Sequence, residues 1–137
     1  NFIFWLFAVV WSSDTGAYVF GRAIGGPKLA PNISPKKTWA GFYGGLASSA
    51  LAGACTAVLL EGPSILGLAV FSAVVGFTAQ MGDLLESWFK RKFSVKDSGN
   101  IIPGHGGLFD RVDGLMTAVL FCAAVWGLEK DWIARWL

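Results

Sequence analysis

Charged side chains are scarce in this sequence of 137 residues: they make up 15% of it, whereas an ordinary soluble domain carries about 25%. Eleven basic and nine acidic residues are too few to cover a small water-soluble domain evenly. Apolar residues make up 54% of the chain, and the mean hydropathy is +0.55. This composition excludes a disordered chain, a collagen and a coiled coil, and it indicates a membrane protein.

Cysteine is rare as well. Cys55 and Cys122 are the only two, and each lies within an apolar run, which predicts packing residues and excludes a disulfide-stapled secreted domain. The chain opens with Asn1 and the apolar run Phe-Ile-Phe-Trp-Leu-Phe, which is typical neither of a signal peptide nor of a natural start. We therefore expect residues 1–137 to be the C-terminal part of one integral-membrane catalytic domain whose N-terminal helices are missing from this sequence.

Four segments approach the length of about 20 apolar residues that a membrane-spanning helix needs. They run from Asn1 to about Phe20, from Gly41 to Leu60, from Ile65 to about Met81, and from Leu115 to Leu128. The predicted fold is all-α: a polytopic transmembrane helix bundle with about four membrane-spanning helices and two polar cytoplasmic loops. Nine of the eleven basic residues fall in those two loops, which the positive-inside rule assigns to the cytoplasm.

Candidate site residues gather around the first polar loop. Asp14 lies late in an otherwise apolar span, where a role in a polar cavity is favoured over a headgroup position. Ser34 is predicted to cap the next helix, with Pro35 as its first residue. Lys36 and Lys37 would then lie in the first turn of that helix. A bound phosphate and anionic lipid headgroups explain the two lysines equally well.

The end of the third span carries further polar residues. Asp83, Glu86, Ser87 and Lys90 are spaced at three and four residues, so they are predicted to share one helix face. Such a face at the end of a transmembrane helix points to a polar cavity or to the cytoplasm.

Polar residues and glycine are also dense in the stretch that follows. It contains Lys96-Asp97-Ser98-Gly99, Pro103-Gly104-His105-Gly106-Gly107 and Asp110-Arg111-Val112-Asp113. The glycines would let the backbone approach a ligand closely. Asp83, Asp110 and Asp113 would offer hard oxygen ligands to Mg²⁺. Acids for a metal and bases for phosphate suit phosphoryl or nucleotidyl transfer on a lipid, whereas P-loop and GxSxG motifs are absent. A Ser-His-Asp hydrolase stays open on composition alone.

These stretches resemble the signature of the phosphatidate cytidylyltransferases, also called CDP-diacylglycerol synthases. The matching segments are Ser87–Arg91, Lys96–Gly99, Pro103–Gly107 and Asp110–Asp113, with Asp14–Tyr18, Gly21-Arg22 and Ser34–Trp39 upstream. The resemblance covers Ser13 to Gly114. It departs at Ala40, where the family usually has Glu, and at Gly114, where Ser is frequent.

The resemblance implies that the phosphate of phosphatidate attacks the α-phosphorus of CTP, which gives CDP-diacylglycerol and pyrophosphate. It implies a requirement for Mg²⁺, with a monovalent cation such as K⁺ assisting in some members. The catalytic residues by this resemblance are Asp83, Asp110, Lys90 and Arg111, and the metal ligands are Asp83, Asp110 and Asp113. The substrate-binding residues are Ser34, Lys36, Lys37, Ser87, Lys96, Asp97, His105, Gly106 and Gly107.

The expected partners are CTP, phosphatidate and membrane lipids, with no nucleic acid; a homodimer stays open. The expected location is a bacterial-type inner membrane, with the active site facing the cytoplasm. Two other functions compete with this one. A CTP-dependent lipid-alcohol kinase would act on a hydroxyl and would need a base, and a transporter or channel would use the acidic helix face to conduct cations.

Overall fold

The structure, a computed structural model, describes residues 2–62, 64–92 and 108–128; for residues 108–113 it describes the helix but not the side chains. The helices are α1 (Phe2–Ile24), α2 (Trp39–Leu59), α3 (Ile65–Lys92) and α4 (Leu108–Leu128). Two short strands, β1 (Lys28–Ala30) and β2 (Ser34–Thr38), form an antiparallel hairpin between α1 and α2. The predicted all-α bundle is confirmed, and this hairpin is added to it.

Three of the described helices, α1, α2 and α3, are long and apolar enough to cross a membrane. The apolar part of α4 is shorter and runs from Gly114 to Gly127. Large apolar side chains stay exposed along the helices: Phe4 is 81% exposed, Leu59 80% and Leu66 75%. Such surfaces are unfavourable in water, so lipid or further protein has to cover them.

Small residues bring neighbouring helices close together. A Cβ atom on Gly16 would collide with Ser48 of α2, and a Cβ atom on Gly53 would collide with Ser72 of α3. Hydrophobic burial does not drive helices together within lipid, so close packing of small residues takes over that role. The chain therefore packs as consecutive antiparallel neighbours, α1 on α2, α2 on α3, and α3 on α4.

Trp5 of α1 belongs to the buried core and is 4% exposed. Its ring stacks on Phe71 with the centroids 5.6 Å apart and the planes at 5°. Its indole Nε1 donates a hydrogen bond of 3.0 Å to Ser72 Oγ. The buried polar atom of this tryptophan is thus satisfied by a residue that also packs against α2.

The start of α2 corrects the sequence prediction. Ser34 does not cap a helix, and Lys36 and Lys37 do not lie in a first helical turn, because all three belong to strand β2. The cap is Thr38, whose side chain accepts a hydrogen bond of 3.1 Å from the backbone N–H of Gly41. The physical reason is the pairing of Ser34–Thr38 with Lys28–Ala30, which keeps the chain extended for four more residues.

The basic ends of the helices lie at one end of the bundle. Arg91, near the end of α3, donates from Nε to the backbone oxygen of Ile33 in the hairpin turn, at 3.3 Å. The end of α1, the hairpin, the start of α2 and the end of α3 are therefore neighbours in space. Both clusters of basic residues predicted to face the same side do so in the described part of the chain.

Candidate active site

A cavity of about 480 Å³ lies at this basic end, between the C-terminal half of α1, the hairpin, the start of α2 and the C-terminal half of α3. Its charged and polar lining residues are Asp14, Tyr18, Arg22, Lys28, Lys36, Lys37, Thr38, Gln80 and Asp83. Four of these carry positive charge and two carry negative charge. A cavity of this kind can bind anions and can offer carboxylate oxygens to a metal ion.

Lys37 and Asp83 form the charged centre of the cavity. The Nζ atom of Lys37 lies 3.8 Å from Oδ2 of Asp83, and the two side chains are 30% and 31% exposed. Burial lowers the pKa of Lys37 below its ordinary value, and the nearby charges of Asp83 and Asp14 offset part of this shift. The lysine is therefore a half-buried cation, held by a carboxylate that another ligand could take over.

Asp14 lines the cavity from α1, as its position late in an apolar span predicts. It acts on Lys37 through charge, so the lysine lies in the field of two carboxylates from two different helices. Asp14 was not among the residues predicted for substrate, metal or catalysis. The intramembrane carboxylate itself was the signal for it.

Gln80 is a cavity residue that the sequence analysis missed. It is 6% exposed, and its Nε2 donates to Ser13 Oγ at 3.4 Å and to the backbone oxygen of Phe42 at 3.3 Å. These bonds tie α3 to α1 and α2 beneath the charged centre. An amide inside an apolar span, on the same helix face as Asp83, was the signal that could have identified it.

Asp83 also reaches toward α4. A Cβ atom on Gly114 would lie 3.1 Å from Oδ1 of Asp83, so this carboxylate packs against the backbone of α4. Asp110 and Asp113, the other predicted metal ligands, belong to the turns of α4 just before Gly114. Their side chains and that of Arg111 lie outside the described set.

The donor chemistry of these positions fits Mg²⁺, because carboxylate oxygens are its preferred protein ligands. Among the residues whose side chains are described, no cluster of three or more metal-ligating side chains occurs. Asp83 alone of the three predicted ligands has a described side chain. The helix backbone nevertheless brings the beginning of α4 to the carboxylate of Asp83.

The remaining part of the α3 face lies further along the helix. Asp83, Glu86, Ser87 and Lys90 are all half-buried, while the residues between them are mostly exposed, so the predicted common face exists. Lys90 Nζ lies 2.6 Å from Oε1 of Glu86, one turn earlier. Glu86, Ser87 and Lys90 are not part of the cavity lining.

Only some of the predicted site residues line the cavity. Lys36, Lys37 and Asp83 line the cavity, whereas Ser34 lies in β2 outside the lining. Lys96, Asp97, His105, Gly106 and Gly107 lie outside the described residues. Besides Gln80, the cavity includes Tyr18, Arg22, Lys28 and Thr38, to which no site role was assigned beforehand.

Curated relatives are similar over most of this chain. A phosphatidate cytidylyltransferase of Brucella suis biovar 1 (strain 1330) is 53% identical over 116 residues, which are 85% of this chain and 43% of the relative. The enzyme of the same name from Staphylococcus saprophyticus is 47% identical over 117 residues, 85% of this chain and 45% of the relative. The enzyme of the same name from Rickettsia bellii is 45% identical over 120 residues, which are 80% of this chain and 51% of the relative. The chain spans about half the length of the curated relatives it matches.

A solved structure shares the fold. It is that of an intramembrane enzyme for archaeal membrane lipids biosynthesis, and it matches with a TM-score of 0.61 at 21% identity, over 85% of this chain and 75% of that one. The likeness shows the fold. The three described helices that are long and apolar enough to span a bilayer support an integral membrane protein.

The model of the cytidylyltransferase family matches residues 1–128, which include the cavity, the hairpin and all four helices. The resemblance of the sequence motifs is thereby confirmed, and the chain belongs to the cytidylyltransferase family.

Proposed function

We propose that this chain carries the catalytic site of a phosphatidate cytidylyltransferase, which converts CTP and phosphatidate into CDP-diacylglycerol and pyrophosphate. The observation that carries the proposal is the pair of Lys37 and Asp83 in a cavity at one end of a transmembrane bundle. It sets a cation for phosphate beside a carboxylate for a metal. Family membership and the names of the curated relatives support this reaction.

The proposed reaction does not need a strong general base. The phosphate of phosphatidate is already ionised near neutral pH, so it attacks the α-phosphorus of CTP without prior proton removal. The bond from this phosphorus to the β-phosphate oxygen breaks, and its electron pair leaves with pyrophosphate. Catalysis then rests on positioning and on the neutralisation of charge.

Lys37 supplies that charge in this proposal. A half-buried ammonium interacts with a phosphate more strongly than a fully solvated one, because less water screens it. Asp83, with Asp110 and Asp113, would hold Mg²⁺, which neutralises phosphate charge when it is bound. The assistance of K⁺ stays a prediction from the resemblance, as does the homodimer.

The other predicted residues, including Lys90 and Arg111, which are predicted to be catalytic, would also contact the substrates. Lys90 and Arg111 would contact substrate phosphates, and Lys90 would exchange Glu86 for a phosphate to do so. Ser34, Lys36 and Ser87 would border the substrates. Lys96, Asp97 and the His105-Gly106-Gly107 segment would close the pocket, with His105 as a ligand or loop anchor rather than a base.

The proposed location is a bacterial-type inner membrane, with the cavity open to the cytoplasm. The gathering of basic residues at one end of the bundle supports this orientation. CTP is water-soluble and would enter from this side, while phosphatidate would arrive from the adjoining leaflet.

Incubation of membranes containing the full-length protein with labelled CTP and phosphatidate tests the proposal. We expect a labelled CDP-lipid that requires both substrates and Mg²⁺, and that is absent from membranes without the protein. A phosphorylated lipid alcohol would instead indicate the kinase. Cation flux into liposomes without CTP, in the absence of any CTP-derived product, would indicate a transporter or channel.

A further inference from the structure

Three exposed cations form the outer part of the cavity, and we call them the basic rim: Arg22, Lys28 and Lys36. Arg22 comes from the last turn of α1, Lys28 opens β1, and Lys36 lies in β2. In the inner part, the side chains of Lys37 and Asp83 are only 30% and 31% exposed. The cavity therefore has a half-buried mixed-charge centre and a solvent-exposed positive mouth.

The helix dipole and the membrane surface explain part of the positive charge of the rim. A basic residue in the last turn of α1 complements the helix dipole, and basic residues near a membrane attract anionic headgroups. Yet Arg22 does not point freely into solvent, because its Nη1 donates a 2.7 Å hydrogen bond to the hydroxyl of Tyr18, another cavity residue. Tyr18 thus holds the guanidinium at the mouth of the cavity.

Among the described side chains, none forms an ion pair with a cation of the rim. The two ion pairs found among the described side chains join Lys37 to Asp83 and Lys90 to Glu86, and neither involves the rim. The hairpin holds Lys28 and Lys36 on paired strands beside Arg22. Three positive charges around one opening repel each other, and an anionic ligand would relieve that repulsion.

We propose that the basic rim binds the β- and γ-phosphates of the nucleoside triphosphate and holds the pyrophosphate as it leaves. The proposal rests on the proposed function and divides the cavity: Lys37 serves the reacting phosphates, and the rim serves the leaving group. A triphosphate carries more negative charge than a lipid phosphate, so it makes better use of three cations.

The geometry of phosphoryl transfer favours the same division. The nucleophile and the leaving group lie roughly in line on opposite sides of the reacting phosphorus. Phosphatidate stays anchored in the membrane, while pyrophosphate has to depart into water. The hairpin lies outside the membrane-spanning helices and carries two of the exposed cations, so the rim is open to water, into which pyrophosphate would leave.

Kinetics of Arg22→Gln and Lys28→Gln in the full-length protein test this assignment. We expect each substitution to raise the KM for CTP and the inhibition constant of pyrophosphate about threefold to tenfold. The KM for phosphatidate stays at the parent value. Lys92→Gln is the matched control: this lysine lies at the same end of the bundle but over the ring of Trp88, outside the cavity lining.

Salt gives a second readout. Exposed charges are screened within about 10 Å at 0.1 M salt, so added salt raises the KM for CTP in the parent more than in the Arg22→Gln/Lys28→Gln double variant. A rise in the KM for phosphatidate alone would assign the rim to the lipid headgroup and overturn the proposal. The proposal would also be overturned if Arg22→Gln and Lys28→Gln had the same KM for CTP and the same inhibition constant of pyrophosphate as Lys92→Gln.

Direct binding separates this proposal from the proposed function. Pyrophosphate with Mg²⁺ is titrated into the purified full-length protein and its variants by calorimetry. If the parent makes no CDP-lipid, the proposed function fails, but weaker pyrophosphate binding by Arg22→Gln and Lys28→Gln would still support the rim. A parent that does not bind pyrophosphate, or variants that bind it equally well, would reject the rim.

Discussion

The ammonium of Lys37 lies 3.8 Å from the carboxylate of Asp83, and this contact joins the β-hairpin to the end of α3. At 3.8 Å the two charged groups are too far apart for a hydrogen bond, so a ligand can replace the contact without breaking one. A phosphate would take over the lysine, and a metal ion would take over the carboxylate. The pair therefore keeps both groups oriented without trapping either.

Substitution of Lys37 tests the lysine half of this exchange. We expect Lys37→Ala to raise the KM for CTP, for phosphatidate or for both about tenfold to hundredfold, because hydrogen bonds to charged groups contribute about 1.5–3 kcal/mol. Steady-state kinetics with each substrate varied in turn would measure the effect. Lys92→Ala removes an equivalent charge outside the cavity and should change neither constant. Unchanged Michaelis constants for both substrates in Lys37→Ala would refute the phosphate role.

The pH dependence of activity should also reflect Lys37. Burial lowers the pKa of Lys37, so in the free protein this lysine loses its proton at a lower pH than an ordinary surface lysine. A metal ion on Asp83 would lower that pKa further, since it cancels a negative neighbour. We therefore expect kcat/KM to fall on the alkaline side as the ammonium is lost. Lys37→Arg should shift that fall to higher pH, because arginine stays charged. An alkaline limb identical in Lys37→Arg and the parent would assign it to another group.

Asp83→Asn tests whether the carboxylate of Asp83 binds the metal ion. The amide preserves the shape but removes the negative charge, so we expect activity to fall at least about 100-fold and the Mg²⁺ concentration for half-maximal rate to rise. Glu61→Gln is the control, since Glu61 lies in the turn between α2 and α3, at the other end of these helices. A Mg²⁺ dependence in Asp83→Asn equal to that of the parent would exclude Asp83 as a ligand.

The helices and the ends where charge gathers could be predicted from the sequence because they depend on local composition. Apolar runs of sufficient length predicted α1, α2 and α3, and the spacing of Asp83, Glu86 and Ser87 predicted a common face. The start of α2 could not be predicted in the same way. Ser34-Pro35 is a good local start for a helix, but pairing with Lys28–Ala30, a non-local contact, overrides it.

Part of the cavity lining could be predicted from the sequence and part could not; the charged residues Arg22 and Lys28, for example, line the cavity without a predicted role. Lys36 and Lys37 stand out in an apolar chain, and both line the cavity. Gln80 carries no charge and belongs to no motif that the sequence analysis used. Its importance arises from hydrogen bonds to Ser13 and Phe42, which only the packing of three helices brings within reach.

Close packing of α3 on α4 supports the position of Asp110 and Asp113, the predicted metal ligands of α4. A Cβ atom on Gly82 would collide with the side chain of Thr117, so Gly82→Ala forces α4 away from α3. We expect a loss of about 1–3 kcal/mol in stability and weaker Mg²⁺ activation, because α4 carries Asp110 and Asp113. Thermal unfolding in detergent and Mg²⁺ titration of activity would measure the two effects.

Two variants control for the substitution itself. Among the described residues, no atom outside the local backbone of α4 lies within 4 Å of a Cβ added to Gly127, so Gly127→Ala should leave both properties intact. Adding Thr117→Gly to Gly82→Ala removes the colliding side chain and should restore part of the Mg²⁺ activation. If Gly82→Ala alone behaves like Gly127→Ala, the approach of α4 to α3 does not support the site.

The hydrogen bond between Trp5 and Ser72 should stabilise the fold, and this can be tested independently of catalysis. Ser72→Ala leaves the buried indole N–H without its acceptor, so we expect a loss of about 1–3 kcal/mol. Trp5→Phe combined with Ser72→Ala removes both partners, so the second substitution should cost less in that background. Ser12→Ala, at a half-buried position of α1, should have little effect. Thermal unfolding of the parent, the two single variants, the double variant and Ser12→Ala in the same detergent gives the comparison. Equal losses for Ser72→Ala in both backgrounds would show that the hydrogen bond does not stabilise the bundle and that Ser72 acts through packing against Gly53 alone.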